Sequence, residues 1–414
     1  MLDATRPERT PLAPRVRLLV VVAALGYFVD IYDLLLFNIV RLKSLADLGF
    51  TGEAALKEGI FLINMQMGGL LAGGVLWGII ADRRGRLSVL FGSILLYSLA
   101  NIANGFVQSL EAYAALRLVA GIGLAGELGA GITLVSESMP RQSRGYGTMI
   151  VAGVGILGAV VGALVGDAFH WRTAFFIGGG LGLFLLVLRI GVHESGLFEQ
   201  VRQKASITRG NFFQIFAHPG RARRYLAVIL VGVPIWFTVA ILISLSPEIG
   251  RAMGMATPPS PGRAVMFCYL GLALGDFSSG ALSQILRSRK KAIFAFLVLT
   301  TLSVGVYFVL AAASLTAFYA VATLLGFSTG YWAVFVTIAA EQFGTNLRGT
   351  ATTTVPNFVR GAVLPVTALF QVWKPALGTL GAAGAVGALT LVLAFGALFA
   401  LDETYGKDLD FVEG

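Results

Sequence analysis

The stretch Gly78-Ile79-Ile80-Ala81-Asp82-Arg83-Arg84-Gly85-Arg86 decides how this chain is read. Residues 59–77 before it and 87–108 after it contain no Asp, Glu, Lys or Arg. A helix that crosses a bilayer needs about 20 apolar residues. The charged stretch is therefore a short connection between two membrane spans. Its three arginines mark the side that retains positive charge, the inside.

Outward from this connection the same pattern runs the length of the chain. Of 414 residues, 56% are hydrophobic and 13% are charged, and the mean hydropathy is +0.80. Soluble domains carry about a quarter charged residues. This composition excludes a soluble globular enzyme and a disordered chain. Apolar segments predict twelve helices near 16–40, 59–81, 87–108, 112–136, 145–167, 172–190, 225–247, 264–286, 292–312, 317–341, 349–372 and 377–400. The run from Ala292 to Ala340 holds no charge, is too long for one span, and divides near Ala313–Ser314. The expected fold is an all-α membrane protein, twelve transmembrane helices in two six-helix pseudo-symmetric bundles.

The net charge of +9 is a matter of topology and not of nucleic-acid binding, because the basic residues sit in short runs between apolar segments. Lys and Arg number 22 in the segments on one side and 7 on the other, which puts both termini inside. The basic, then apolar, start contains Asp30 and Asp33 and no small-residue cleavage site, so it reads as a retained first span. Cys268 is the single cysteine, which excludes an internal disulfide. His170, His193 and His218 lie outside the apolar segments, so no histidine metal site is expected, and no cofactor. Short loops and the lack of an N-x-S/T sequon suit a bacterial inner membrane. The expected partners are a small-molecule substrate, protons and the lipid bilayer, with the chain acting as a monomer.

The longest inside connection separates an N-terminal six-helix bundle (1–190) from a C-terminal one (225–401), with a linker at 191–224 and a tail at 402–414. Phe212, Phe213, Ile215 and Phe216 beside Arg221, Arg223 and Arg224 make the end of that linker either an interfacial amphipathic segment or a plain solvated one. The two halves echo each other. Glu137, Arg144-Gly145 and Thr148 recur as Glu341, Arg348-Gly349 and Thr352, and the same offset of 204 carries Gly126 onto Gly330 and Glu127 onto Tyr331. Duplicated six-helix units with a site between them at the bilayer midplane are one plan of secondary transporters.

The nine residues from Gly78 to Arg86 resemble the signature G-x-x-x-D-R-x-G-R between spans 2 and 3 of the major facilitator superfamily. Gly26-Tyr27-Phe28-Val29-Asp30-Ile31-Tyr32-Asp33 in span 1, and Arg117 to Glu127 with Gly121, Gly123 and Gly126 in span 4, are similar to patterns of its metabolite:proton symporter branch. Two departures stand out. Gln284 occupies a place where the repeated signature often has Asp, and Gly158-Ala159-Val160-Val161-Gly162 in span 5 lacks the Pro of many drug:proton antiporters. The resemblance implies alternating access by rocking of two halves, a cavity lined by spans 1, 2, 4, 5, 7, 8, 10 and 11, and spans 3, 6, 9 and 12 against lipid. It also implies that Gly78, Asp82, Arg86, Glu137, Arg144, Glu341 and Arg348 gate the inside face. The mid-span charges agree with this plan, falling on spans 1, 4, 8 and 11.

Six ionisable residues lie within spans: Asp30, Asp33, Arg117, Glu127, Asp276 and Arg360. Charges in a bilayer are costly and mark functional sites with partners. At 1.5 Å per residue, Asp33 and Arg117 both lie about 10 Å below the outer face, and Asp276 and Arg360 about 18 Å below it. These depths predict Asp33–Arg117 and Asp276–Arg360 pairs, leaving Asp30 and Glu127 without a fixed cation. Asp30 and Asp33, three residues apart, share a helix face. Substrate-binding candidates are Arg360 and Arg117, with Tyr32, Trp236, Tyr331, Trp332 and Asn357 as cavity lining or as ordinary packing. Proton-coupling candidates are Asp30, Asp33, Glu127 and Asp276. Arg117 and Asp33 could equally be a structural pair, and Glu127 a packing group behind a glycine-rich run.

The leading reading is a secondary active transporter that moves a small organic anion of carboxylate type together with protons. In its mechanism the anion engages Arg360, loosens Asp276 and favours its protonation. The alternative is a proton-coupled antiporter or exporter of a cationic or amphipathic compound. A divalent-metal carrier built on Asp30, Asp33 and Glu127 is a further one. A non-transporting sensor or scaffold would have little use for buried charges. An enzyme is not expected, because no nucleophile–His–acid set or H-E-x-x-H motif is present and Gly178-Gly179-Gly180 lies inside an apolar span.

Overall fold

Alanine, leucine and glycine-rich apolar runs leave the backbone no water to bond, so the chain satisfies its own amides as helices. The computed structural model describes residues 14–139, 144–191 and 212–407, and every regular element among them is helical. The side chains of Asp82, Arg86, Glu137, Arg144 and Arg348 lie outside the described residues. The first bundle contains α1 (Pro14–Asp47), α2 (Gly52–Arg84), α3 (Arg86–Asn104), α4 (Leu110–Leu124), α5 (Glu127–Ser138), α6 (Arg144–Ala168) and α7 (Trp171–Leu188). The second contains α8 (Pro219–Phe237), a π-helical segment (Thr238–Ile243), α9 (Ser246–Ala252), α10 (Pro261–Ile285), α11 (Arg289–Leu310), α12 (Leu315–Thr329), α13 (Trp332–Glu341), α14 (Thr345–Gly361) and α15 (Val363–Ala400). Below, the N face is the side on which α1 begins; the far face is the opposite one.

Among the described residues, eleven stretches are long and apolar enough to cross a membrane. The last of them, Thr350–Ala400, runs for 51 residues, too long for one crossing of a core about 30 Å thick. Gly378, at φ +69°, turns the chain inside it and makes two spans of one, for twelve crossings in all. The division expected near Ala313–Ser314 falls where α11 gives way to α12, with Ser314 capping α12 through Ala317 N–H at 3.0 Å. Several helices outrun their apolar segments. α8 starts at Pro219 and not near 225, because His218 accepts the Gly220 N–H at 3.2 Å and Pro219 needs no partner in the first turn. Apolar content marks the part of a helix inside lipid, and caps mark where the helix ends.

The sequence repeat has a backbone counterpart. The fourth span breaks between α4 and α5 at Ala125–Gly126, and the tenth between α12 and α13 at Gly330–Tyr331, and the offset of 204 carries Gly126 of the first break onto Gly330 of the second. Both breaks sit where helices touch. A Cβ on Gly126 would lie 2.7 Å from Ser93 Cβ, and one on Gly330 2.5 Å from Gly275 Cα. Gly121 is another close approach, and its added Cβ would stand 2.1 Å from the Gln66 carbonyl oxygen on α2. We expect Gly121→Ala to destabilise the protein by about 1–3 kcal/mol through overpacking. Gly68→Ala, with nothing within 4 Å of its Cβ, should be neutral. Thermal unfolding in detergent, read side by side, checks this; equal midpoints for the two variants would remove the packing argument.

The bundles meet chiefly where α14 lies against α2 and α10 against α6. Of the linker, Phe212–Ile215 forms one tight turn. Phe212 and Ile215 are buried and Phe213 and Phe216 exposed, and the Phe212 ring lies 5.6 Å from Phe358 and 6.1 Å from Tyr225. This turn is docked onto the second bundle and is not a plain solvated stretch. The tail docks as well. Burial pushes the Glu403 carboxyl up, but hydrogen bonds from the Ser288 hydroxyl and the N–H groups of Tyr405, Arg289 and Lys290 outweigh it and hold Glu403 below the usual carboxylate range.

Candidate functional site

Arg360 stands in the last turn of α14 and is 1% exposed. Its Nη2 lies 3.6 Å from Asp30 Oδ2, which comes from α1 of the other bundle and is fully buried. The guanidinium carbon lies 5.9 Å from the Trp236 ring centroid and 6.0 Å from that of Trp332. Both are within the range of a cation–π contact. Helix irregularities deliver both tryptophans. Trp236 follows Pro234, which removes a backbone donor and leads into the π-helical segment. Trp332 opens α13 just past the break at Gly330–Tyr331. One turn before Arg360, Asn357 donates to the Ala125 carbonyl across the bundle boundary at 2.9 Å. That carbonyl stands at the α4/α5 break, where a helix end leaves acceptors open. Nε and Nη1 of Arg360 have no hydrogen-bond partner among the described residues. A buried planar cation with donors to spare, between two flat aromatic faces, is suited to a carboxylate attached to a flat group.

Of the predicted site residues, Arg360, Asp30, Trp236, Trp332 and Asn357 come together here. The predicted Asp276–Arg360 pair is corrected. Asp276 Oδ1 accepts the Ala333 N–H at 3.1 Å, at the start of α13. The depth match held along the helix axes, but the break in the tenth span offered Asp276 free backbone donors, and α1 brought a nearer carboxylate to Arg360. The predicted Asp33–Arg117 pair is corrected also. Arg117 donates to Asn101 Oδ1 at 2.8 Å and to Gln66 Oε1 at 3.4 Å, and its guanidinium lies 4.9 Å from the Phe175 ring. Among the described residues, neither carboxylate oxygen of Asp33 has a hydrogen-bond partner within 3.5 Å. Although three residues apart, the two α1 aspartates diverge. Asp30 looks across to Arg360; Asp33 abuts Gly178 of α7, where an added Cβ would lie 2.2 Å from its Oδ1.

Glu127 is not without a cation. It forms a buried ion pair with Arg189, whose Nη1 also donates to the Leu90 carbonyl at 2.7 Å. By sequence Arg189 counts as a linker charge, yet it is 1% exposed. The hydroxyls of Tyr32 and Tyr331 donate to the carbonyls of Ala174 and Val231, each at 2.9 Å and each within one bundle. Gly78 faces Thr354 Cγ2 at 3.8 Å from an added Cβ. Glu341 engages Arg289 at 3.4 Å and the Thr404 hydroxyl at 2.6 Å, all within the second bundle and tail.

Cross-bundle contacts close the far face. Arg41 Nη2 lies 2.6 Å from Glu248 Oε1 and 3.3 Å from the Ser244 carbonyl, with Arg41 fully buried. Lys374 pairs with Glu53 at 2.5 Å, and Thr367 donates to Asn64 at 2.9 Å. Arg41 and Glu248 were missed because both fall just beyond apolar segments, where a charge reads as a loop residue. The signal that could have found Arg41 is its place in the continuing apolar period of α1, between Val40 and Leu42.

Three likenesses bear on this arrangement. The chain is 28% identical over 379 residues to the niacin transporter of Acinetobacter baylyi (strain ATCC 33305 / BD413 / ADP1), covering 83% of this chain and 84% of that one. It is 29% identical over 382 residues to the 3-(3-hydroxy-phenyl)propionate transporter of Escherichia coli (strain K12), covering 88% and 85%. Its fold matches the crystal structure of a D-xylose-proton symporter with a TM-score of 0.69 at 18% identity, over 95% of this chain and 100% of the other. These relatives are transporters and not enzymes, in line with the multi-pass architecture. The family model of the Major Facilitator Superfamily matches residues 23–368, and the chain belongs to that superfamily.

Proposed function

We propose that this transporter carries a small organic acid with a flat or aromatic body, together with protons, by alternating access between its two bundles. The observation that carries the reading is Arg360, buried between Trp236 and Trp332 and ion-paired to Asp30 of the opposite bundle. The names of the two relatives, both transporters of aromatic acids, support the same substrate class. The substrate carboxylate takes the open donors of Arg360 and displaces Asp30. Asp30, deprived of its counter-charge in a site closed to water, accepts a proton. Proton and anion then cross together, and release of both re-forms the Asp30–Arg360 pair. Asp30 therefore replaces Asp276 as the exchanging carboxylate. Residues 1–190 and 225–401 act as the rocking units, 191–224 links them, 402–414 is a tail whose described part, 402–407, braces the second unit, and the chain works as a monomer.

The excess of Lys and Arg on the N face, 22 against 7, supports both termini in the cytoplasm of a bacterial inner membrane. Asp82, Arg86, Glu137, Arg144, Glu341 and Arg348 gate that face, beside Gly78. A thermal-shift screen of nicotinate, 3-phenylpropionate, matching amines and divalent metals tests the substrate class. A ligand at about 100 times its Kd stabilises the protein by about 2.7 kcal/mol. The acids should raise the midpoint, and the amines and metals should not. Stabilisation by amines alone would favour the cation antiporter, and stabilisation by metals alone the metal carrier.

A further inference from the structure

We propose that the first bundle holds a file of bound water along α3 that carries protons between Asp33 and the Glu127–Arg189 pair, separate from the Arg360 site. The proposal rests on the proton-coupled reading above, and it assigns a role to a helix expected only to face lipid.

Ser93, Tyr97, Ser98, Asn101 and Asn104 are all fully buried. The positions 93, 97, 101 and 104 recur at helical spacing and form one face, which runs about 16 Å along the axis at 1.5 Å per residue. That is about half the thickness of a bilayer core. The face turns toward α4, α5 and α7. Among the described residues, the hydroxyls of Ser93, Tyr97 and Ser98, Asn101 Nδ2 and Asn104 Oδ1 have no hydrogen-bond partner within 3.5 Å, and neither have the two oxygens of Asp33, beside Asn101, nor Nε of Arg117 or Nε of Arg189. Inside a membrane protein each such group is costly, and buried polar groups of this kind are met by ordered water with two to four polar partners. The repeat-related helix α11 carries fewer such groups, with Ser303 the buried hydroxyl left without a partner there among the described residues. On α11 the buried Thr300 hydroxyl is bonded to the Phe296 and Ser328 carbonyls at 2.8 and 2.9 Å.

The glycines of α7 let the polar atoms of Asp33 and Ser98 lie close against its backbone. A Cβ on Gly178 would lie 2.2 Å from Asp33 Oδ1, and one on Gly182, a turn further, 2.0 Å from Ser98 Oγ. The charged groups facing the file are Asp33 from α1, Arg117 from α4, Glu127 from α5 and Arg189 just past α7; Asp30 faces the other way, to Arg360. Tyr97 has Glu127, Asp33 and Arg189 among its charged neighbours. Beyond Arg189, toward the N face, a small and otherwise apolar cavity of about 10 Å³ borders its side chain. The proton that Asp30 gives up on substrate release reaches Asp33, one turn further along α1, and passes to the adjacent water and along successive O–H bonds past Ser98 and Tyr97. Glu127 accepts it as the ion pair with Arg189 loosens, and water on the N-face side of Arg189 takes it up. No other reactant is required.

Radiolytic hydroxyl labelling of the full chain in lipid nanodiscs reads the water directly. Tyr97 should be labelled about tenfold faster than Tyr32, which is equally buried but bonds its hydroxyl to Ala174. Gly182→Ala should suppress the labelling of Tyr97. In proteoliposomes, with nicotinate as the probe, Tyr97→Phe/Ser98→Ala should slow pH-driven uptake by about tenfold or more and leave nicotinate exchange at equal pH unchanged. Labelling of Tyr97 no faster than Tyr32 overturns the proposal, as does a double variant that retains pH-driven uptake or loses uptake and exchange alike. A wild type that carries nicotinate in neither mode, with Tyr97 labelled, counts against the substrate reading alone and leaves the water file supported.

Discussion

Arg360→Ala abolishes pH-driven uptake of an aromatic acid and weakens its binding more than a hundredfold. The substitution removes the open donors and strands Asp30 as an unpaired buried carboxylate. Removing one member of a buried ion pair costs about 3–5 kcal/mol, and each 1.4 kcal/mol is about tenfold in affinity. The double variant Asp30→Asn/Arg360→Ala separates stability from recognition. With both charges gone the stability loss should shrink, but binding should stay lost. Trp236 and Trp332 flank the guanidinium, so quenching of tryptophan fluorescence by the acid reads binding directly. Arg360→Ala that binds and carries the acid within about twofold of the parent would end the proposed role of Arg360.

Glu248→Ala opens the far face. Arg41 is fully buried against Glu248 only while the bundles are closed there. Loss of Glu248 leaves that guanidinium buried without its counter-ion, and opening returns it to water. Truncating one partner of a buried charge pair costs about 2–5 kcal/mol, all of it charged to the closed state. A closed form favoured by up to about 2 kcal/mol would then become the minor one. Spin labels at Glu111→Cys and Ala313→Cys, in a Cys268→Ser background, report the separation of the two bundles on that face. The distance distribution should move to longer values in Glu248→Ala. It should return toward the parent in Arg41→Leu/Glu248→Leu, where an apolar pair replaces the ions at little cost. An unchanged distribution in the single variant would mean that Lys374–Glu53 and the α14–α2 contact hold the face without Arg41.

Together the two variants divide the transport cycle. In the proposed cycle Arg360 and Asp30 respond to the ligand, and Arg41 and Glu248 respond to the position of the bundles. The link between them is α1, a single helix that carries Asp30, Asp33 and Arg41. Binding energy spent on separating Asp30 from Arg360 acts on the same rigid element that holds the far-face pair.

Hydropathy, read in one dimension, determined the number of crossings and the six-plus-six repeat, because a bilayer imposes length rules on each segment separately. The identity of Arg360 as the central cation was legible for the same reason, since a cation at mid-depth of a span is too costly to persist without a partner or a ligand. Partner choice was not. Asp276 matched Arg360 in depth, but depth fixes only one coordinate; the rotation of α1 and the broken helix ahead of α13 settled that Asp30 takes the arginine and Asp276 takes the Ala333 N–H. Arg189 and Arg41 read as loop charges until packing buried them against Glu127 and Glu248. The polar face of α3 carries no formal charge and so left little trace in a count of ions. Segment properties are local and survive in the sequence, whereas pairings depend on the angles at which helices cross, and only the tertiary structure decides those.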